Sequence, residues 1–145
     1  MAQLCGELNL PQSPAQIWDR LIDPAFLATC MPQLESVEAD DSAFLVCRVR
    51  PTLAFLKGTI RVTLSLYDRQ PPASLRIRVD SKGIGSTATV ETTVCLTALD
   101  TGTRLVWTAD IIELGGLLKP IGRSLIDAAA SKVIAEGWVS FQQKL

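Results

Sequence analysis

From Glu35 to Glu113 apolar and polar residues alternate almost without pause, and only one long apolar-rich segment follows. That order constrains the fold more than any other feature. A period of two places alternate side chains on opposite faces of a strand. Thr59–Asp68 shows it cleanly: Ile60, Val62, Leu64 and Leu66 share one face, and Thr59, Arg61, Thr63 and Ser65 the other. The pattern recurs in Glu35–Ala39, in Ala43–Val49, in Leu75–Val79, in Ala88–Leu96 and in Leu105–Ile111. Short turns separate these runs: Asp40-Asp41-Ser42, Arg69-Gln70-Pro71-Pro72, Gly83-Ile84-Gly85 and Asp100-Thr101-Gly102. Connections this short predict an antiparallel meander with one solvated face and one apolar face that must be covered.

The chain before the meander reads as a strand and two short helices. Leu4, Gly6, Leu8 and Leu10 alternate with Cys5, Glu7 and Asn9 up to Pro11. Ser13-Pro14 is an N-cap followed by proline in the first turn, with Ile17, Trp18, Leu21 and Ile22 on the apolar face. Asp23-Pro24 ends that helix and starts the next, which runs to Met31-Pro32. After Gly115-Gly116, Leu117–Lys144 reads as one helix, roughly 40 Å long. Its expected inward stripe is Leu118, Ile121, Leu125, Ile126, Ala129 and Val133.

The chain has 145 residues, so one domain spanning 1–145 is expected, with roughly two thirds of the unfolded surface buried. With 14 basic and 15 acidic residues it has no electrostatic footprint for nucleic acid. It contains 0 histidines, which removes Ser-His-Asp and Cys-His triads, HExxH zinc chemistry and histidine general bases. Cys5, Cys30, Cys47 and Cys95 form no CxxC pair and read as reduced thiols. The N-terminus has no basic region followed by an apolar run, and no 18-residue apolar stretch occurs, so a cytoplasmic protein is expected.

Taken together these elements describe an α+β protein: a curved antiparallel sheet of about seven strands wrapped around a long C-terminal helix, with two short helices after strand 1. This order resembles the helix-grip fold of the START-like (SRPBCC) superfamily. Four segments resemble CoxG, the family of G-type subunits of carbon monoxide dehydrogenase: GELNLPQSPAQIWDRLIDPAFLATCMP, FLKGTIRVTLS, SKGIGSTATV and TGTRLVWTADIIELGGLLKPIGRSLI. Where that family usually carries Pro-Gly, this chain has Pro32-Gln33. The resemblance implies a non-catalytic accessory protein with no cofactor of its own. It implies a molybdenum hydroxylase-type enzyme as partner, a quinone or lipid-like ligand, and peripheral contact with the inner face of the membrane.

The expected ligand site lies between sheet and helix: Val62, Leu64, Trp107 and Ile111 from strands, and Leu118, Ile121, Leu125 and Ala129 from the last segment. An apolar chain there would gain about 0.8 kcal/mol per buried methylene. The alternative is that these residues pack against one another as a filled core, leaving a protein-interaction module. Leu53, Phe55 and Leu56 in the Pro51–Gly58 connection form a second candidate, a pocket mouth or partner loop, or else a plug of the core. Lys132 and Glu136 would orient a polar head or meet water, and Arg48 and Arg50 would bind a ligand oxygen or sit on the surface. Asp110 and Glu113, near the start of the last segment, read as solvated. A small polyketide or aromatic cyclase-type enzyme is the third reading, for which Tyr67, Asp80 and Glu91 fall on outward positions. Cys47 beside Arg48 would have a lowered pKa if the guanidinium reached it.

Overall fold

The structure, a computed structural model, describes residues 3–50 and 58–145. Strand β1 (Leu4–Leu10) leads into helices α1 (Pro14–Leu21) and α2 (Pro24–Cys30). Six strands follow: β2 (Leu34–Asp40), β3 (Phe44–Val49), β4 (Ile60–Gln70), β5 (Ser74–Gly83), β6 (Ser86–Leu99) and β7 (Gly102–Gly116). Helix α3 (Arg123–Lys144) closes the chain. The sheet has seven strands in the order β1-β7-β6-β5-β4-β3-β2. Every pairing is antiparallel. The meander therefore forms as the alternation predicts, and β1 pairs with its last strand. The α1–α2 pair carries the chain from one edge of the sheet to the other.

Local chemistry fixes the two short helices. Ser13 Oγ accepts from the Gln16 backbone N–H at 3.3 Å, and Gln16 Oε1 accepts from the Ser13 N–H at 2.9 Å. This reciprocal box satisfies two donors that the first turn would otherwise leave bare. Asp23 does the same for α2, accepting from the Ala25 N–H at 3.1 Å. The turn between β1 and α1 is tied to the sheet by Thr103, fully buried, whose hydroxyl donates to the Gln12 carbonyl at 2.8 Å.

Gly6 has a packing role. It lies opposite Trp107 in the β1–β7 ladder, and a Cβ there would stand 2.7 Å from the indole ring. Only a residue without a side chain lets the ring lie across β1.

The last segment corrects the sequence expectation. The helix does not begin at Leu117; residues 117–122 form turns and α3 starts at Arg123. Gly116, at φ +62°, redirects the chain. The turn bonds that follow reach back three residues, from Lys119 N to Gly116 O at 3.2 Å and from Ile121 N to Leu118 O at 3.2 Å. Pro120 brings no N–H and disfavours the helical region for Lys119. Gly122 is accordingly the N-cap of α3, not a helix interior position on an apolar stripe.

The inward face of α3 also differs. Ile126 and Phe141 are buried, with Ala130, Ile134 and Trp138 partly buried on the same side. Leu125, placed on the inward stripe by its spacing, is 52% exposed, and Val133 is 38% exposed. At roughly 100° per residue the packed face is turned by about one residue from the expected one.

Both ends of α3 are held. Arg123 pairs with Asp127 at 3.0 Å and donates to the Ile111 carbonyl at 3.3 Å, fastening the first turn to β7. At the other end Phe141 meets Phe26 and Trp138 edge to face, at 5.6 and 5.5 Å between ring centres. Lys144 Nζ donates to the Thr29 carbonyl near the end of α2. Buried apolar side chains accordingly gather in two clusters, a large one including Phe141 and a small one around Ile111, Leu118 and Ile126.

Candidate functional site

A cavity of about 230 Å³ lies between the apolar face of the sheet and the first two-thirds of α3. Its floor comes from β3 to β7, where Val62, Val79, Val90 and Ile111 are prominent. Ile126, Ala129, Ala130 and Ile134 of α3 form the roof, and Leu118 closes one end. Met31, Pro32 and Gln33 after α2 face Val133 and Glu136 across the rim. Gln33, Val133 and Glu136 are exposed, so the cavity reaches solvent there. The helix stands off the sheet because its packed residues are concentrated near its ends, and alanines occupy positions 129 and 130 between them.

All but four of the described lining residues are apolar; the four are Gln33, Ser81, Thr92 and Glu136. Ser81 donates to the Ala88 carbonyl at 3.4 Å. Thr92 is buried on β6 between Ile77 of β5 and Ala109 of β7, its partners across the ladders. A space of this size exceeds the roughly 150 Å³ that encloses benzene in an engineered apolar cavity. It holds a ring system or a short chain, and anything longer must leave by the rim.

Four of the eight residues expected at the ligand site line this cavity: Val62, Ile111, Leu118 and Ala129. The other four do not. Leu64 packs against the large cluster and Trp107 is buried within it beside Gly6. Ile121 packs against the small cluster, and Leu125 faces solvent. Leu53, Phe55 and Leu56 lie outside the described residues. Sequence reasoning overlooks Ser81 and Thr92 as site residues. The available signal is their position, since each is a polar residue in a series of apolar alternate positions.

The charged candidates lie elsewhere. Lys132 is exposed, and among the described residues no ion pair joins it to Glu136 at the rim. Arg48 and Arg50 lie on the polar face of the sheet, bound to Glu38 and Glu35 at 2.7 Å each. Arg61 completes the group at 2.6 Å from Glu38. Hydrogen bonds from these arginines hold both carboxyls below their ordinary range, with Thr59 assisting at Glu35. Tyr67 donates to Glu91 at 3.0 Å on the same face, and partial burial together with that bond raises its pKa.

The expectation for Cys47 is reversed. The thiol is fully buried on the apolar face, and loss of hydration, with a smaller push from Glu38, raises its pKa to about 11. The Arg48 guanidinium points to the opposite face, as alternation along a strand requires. Among the described residues no group of His, Cys, Asp or Glu side chains is arranged to hold a metal ion. No described helix is long and apolar enough to cross a membrane.

A sequence profile of CoxG, the G-type subunit of carbon monoxide dehydrogenase, matches residues 6–145. The chain belongs to the CoxG family. No curated relative matches it. Among solved structures, a conserved protein from Geobacillus kaustophilus superposes with a TM-score of 0.86 at 23% identity, over 99% of this chain and 94% of that one. A protein from Rhizobium leguminosarum gives a TM-score of 0.71 at 18% identity, over 98% and 92%. One from Thermus thermophilus gives 0.67 at 17% identity, over 98% and 95%. At these identities the likeness is one of fold: a curved sheet, two short helices and a long final helix.

Proposed function

We propose that this CoxG-family protein is a non-catalytic carrier of an apolar, quinone-like or lipid-like molecule. In this reading it serves a molybdenum hydroxylase-type enzyme, at the inner face of the membrane. The observation that carries the proposal is the apolar cavity of about 230 Å³ under α3. Sites for small apolar molecules are concave, mostly hydrophobic and sparsely polar, and this lining has that composition. The lack of histidine and the ion pairing of the arginines on the other face of the sheet favour carriage over chemistry. The partner enzyme and the membrane enter through the family alone.

Mass spectrometry of an organic extract, beside the native mass of the unextracted protein, tests the reading. A stoichiometric apolar species is expected, and Ala129→Trp, which puts an indole into the roof, should expel it. A ligand-free native mass together with no uptake of added quinone or fatty alcohol would sink the proposal. Recovery of the tagged protein from its own cells with no redox enzyme attached would remove the partner half.

A further inference from the structure

We propose that Thr92 is the polar anchor of the cavity, donating a hydrogen bond to a hydroxyl or carbonyl oxygen at the buried end of an uncharged ligand. This rests on the carrier reading above and adds the chemical class of the cargo. Thr92 is 7% exposed and lines the cavity. Its neighbours across the ladder are Ile77 and Ala109, which offer no side-chain partner. Among the described residues its hydroxyl makes no hydrogen bond. Nor is that oxygen sealed: the enclosed, unpartnered side-chain polar atoms among the described residues are Gln12 Oε1 and Arg76 Nε. The remaining access of Thr92 Oγ1 is therefore through the cavity.

A buried hydroxyl without a partner is costly, and the cost disappears when a ligand supplies the missing partner. Ser81 cannot serve the same end of a ligand. It pairs with Ala88, four residues from Thr92, about 13 Å along the sheet. The lining also sets the charge of the cargo. Among the described residues no lysine or arginine faces the cavity, and its one ionisable group is Glu136 at the rim. A carboxylate would lack a counter-charge inside and meet a negative one at the mouth, so neutral oxygen compounds are selected over acids.

Three probes of similar shape test this: 2-naphthol, 2-methylnaphthalene and 2-naphthoate, titrated against the labelled protein by amide chemical shifts. Thr92→Val keeps the side chain's shape and removes the hydroxyl. It is expected to weaken 2-naphthol roughly 3- to 10-fold, the size of one neutral hydrogen bond, and to leave 2-methylnaphthalene unchanged. Thr92→Ser should restore 2-naphthol binding, and wild type should bind 2-naphthoate at least about ten-fold more weakly than 2-naphthol. Equal effects of Thr92→Val on both neutral probes, or equal affinity for 2-naphthoate, would overturn the anchor and leave the carrier reading standing. Failure of either neutral probe to bind would overturn both.

Discussion

Two thiols of one chain differ here because of which face of a strand they occupy. Cys95 alternates outward on β6 and is exposed, whereas Cys47 alternates inward on β3 and is closed off completely. In the fold Cys47 holds its proton up to about pH 11, against 9.0 for an ordinary thiol. The unfolded chain therefore binds fewer protons than the native one between those values. Stability that Cys47 supports is intact below pH ~9 and falls as pH rises towards ~11. Between about pH 8 and 10.5 wild type should lose about 2 kcal/mol more than Cys47→Val, as read by urea unfolding. Native alkylation near pH ~8 should label Cys5 and Cys95 and spare Cys47. Parallel pH curves for wild type and Cys47→Val would show that the thiol is not held in its neutral form.

At the scale of elements, the strands are legible in the sequence and the last helix only partly so. The alternation from Ile60 to Leu66 has one solution, because a shift of one residue would turn four apolar side chains to water. Capping residues such as Ser13 and Asp23 likewise state where a helix starts. Helix α3 carries weaker signals. Leu125, Val133 and Val139 are exposed apolar residues spread around the axis, so spacing alone does not select the packed face. Tertiary anchors decide it, above all Phe141 against Phe26 and Trp138, none of which belongs to the expected stripe. The site inherits the same division: alternation finds strand residues such as Val62 and Ile111, and Leu125 is misplaced along with the helix face. Phe141 and Gly137 test this packing from neighbouring turns. Phe141→Ala should cost about 3–5 kcal/mol, since it empties the joint between α2 and α3. Gly137→Ala should stabilise by about 1 kcal/mol, because a methyl there meets nothing within 4 Å and the helix gains propensity. Denaturant unfolding of both variants decides the matter. A loss at Gly137 equal to that at Phe141 would mean the helix packs differently from the face described.

For the whole molecule, the cavity sets stability against binding. Unfilled space in a core costs on the order of 20–25 cal/mol per Å³ where it stays closed and dry. Natural domains have margins of only about 5–15 kcal/mol, so 230 Å³ of poorly packed space is a sizeable concession even with water at the rim. A chain selected for stability alone would place larger residues than Ala129 and Ala130 over the sheet. Ala130→Leu should therefore raise the melting temperature of the empty protein, by extending a side chain into the space beneath the helix. In wild type a neutral apolar ligand at about 100 times its Kd should stabilise by about 2.7 kcal/mol, or roughly 5–10 °C at this chain length. Ala130→Leu should show little further shift with the same ligand, since side chain and ligand compete for one volume. Thermal melts of both proteins with and without 2-methylnaphthalene make the comparison. A lower melting temperature for empty Ala130→Leu would mean that the space is already filled in solution, and an undiminished ligand shift would place the ligand elsewhere.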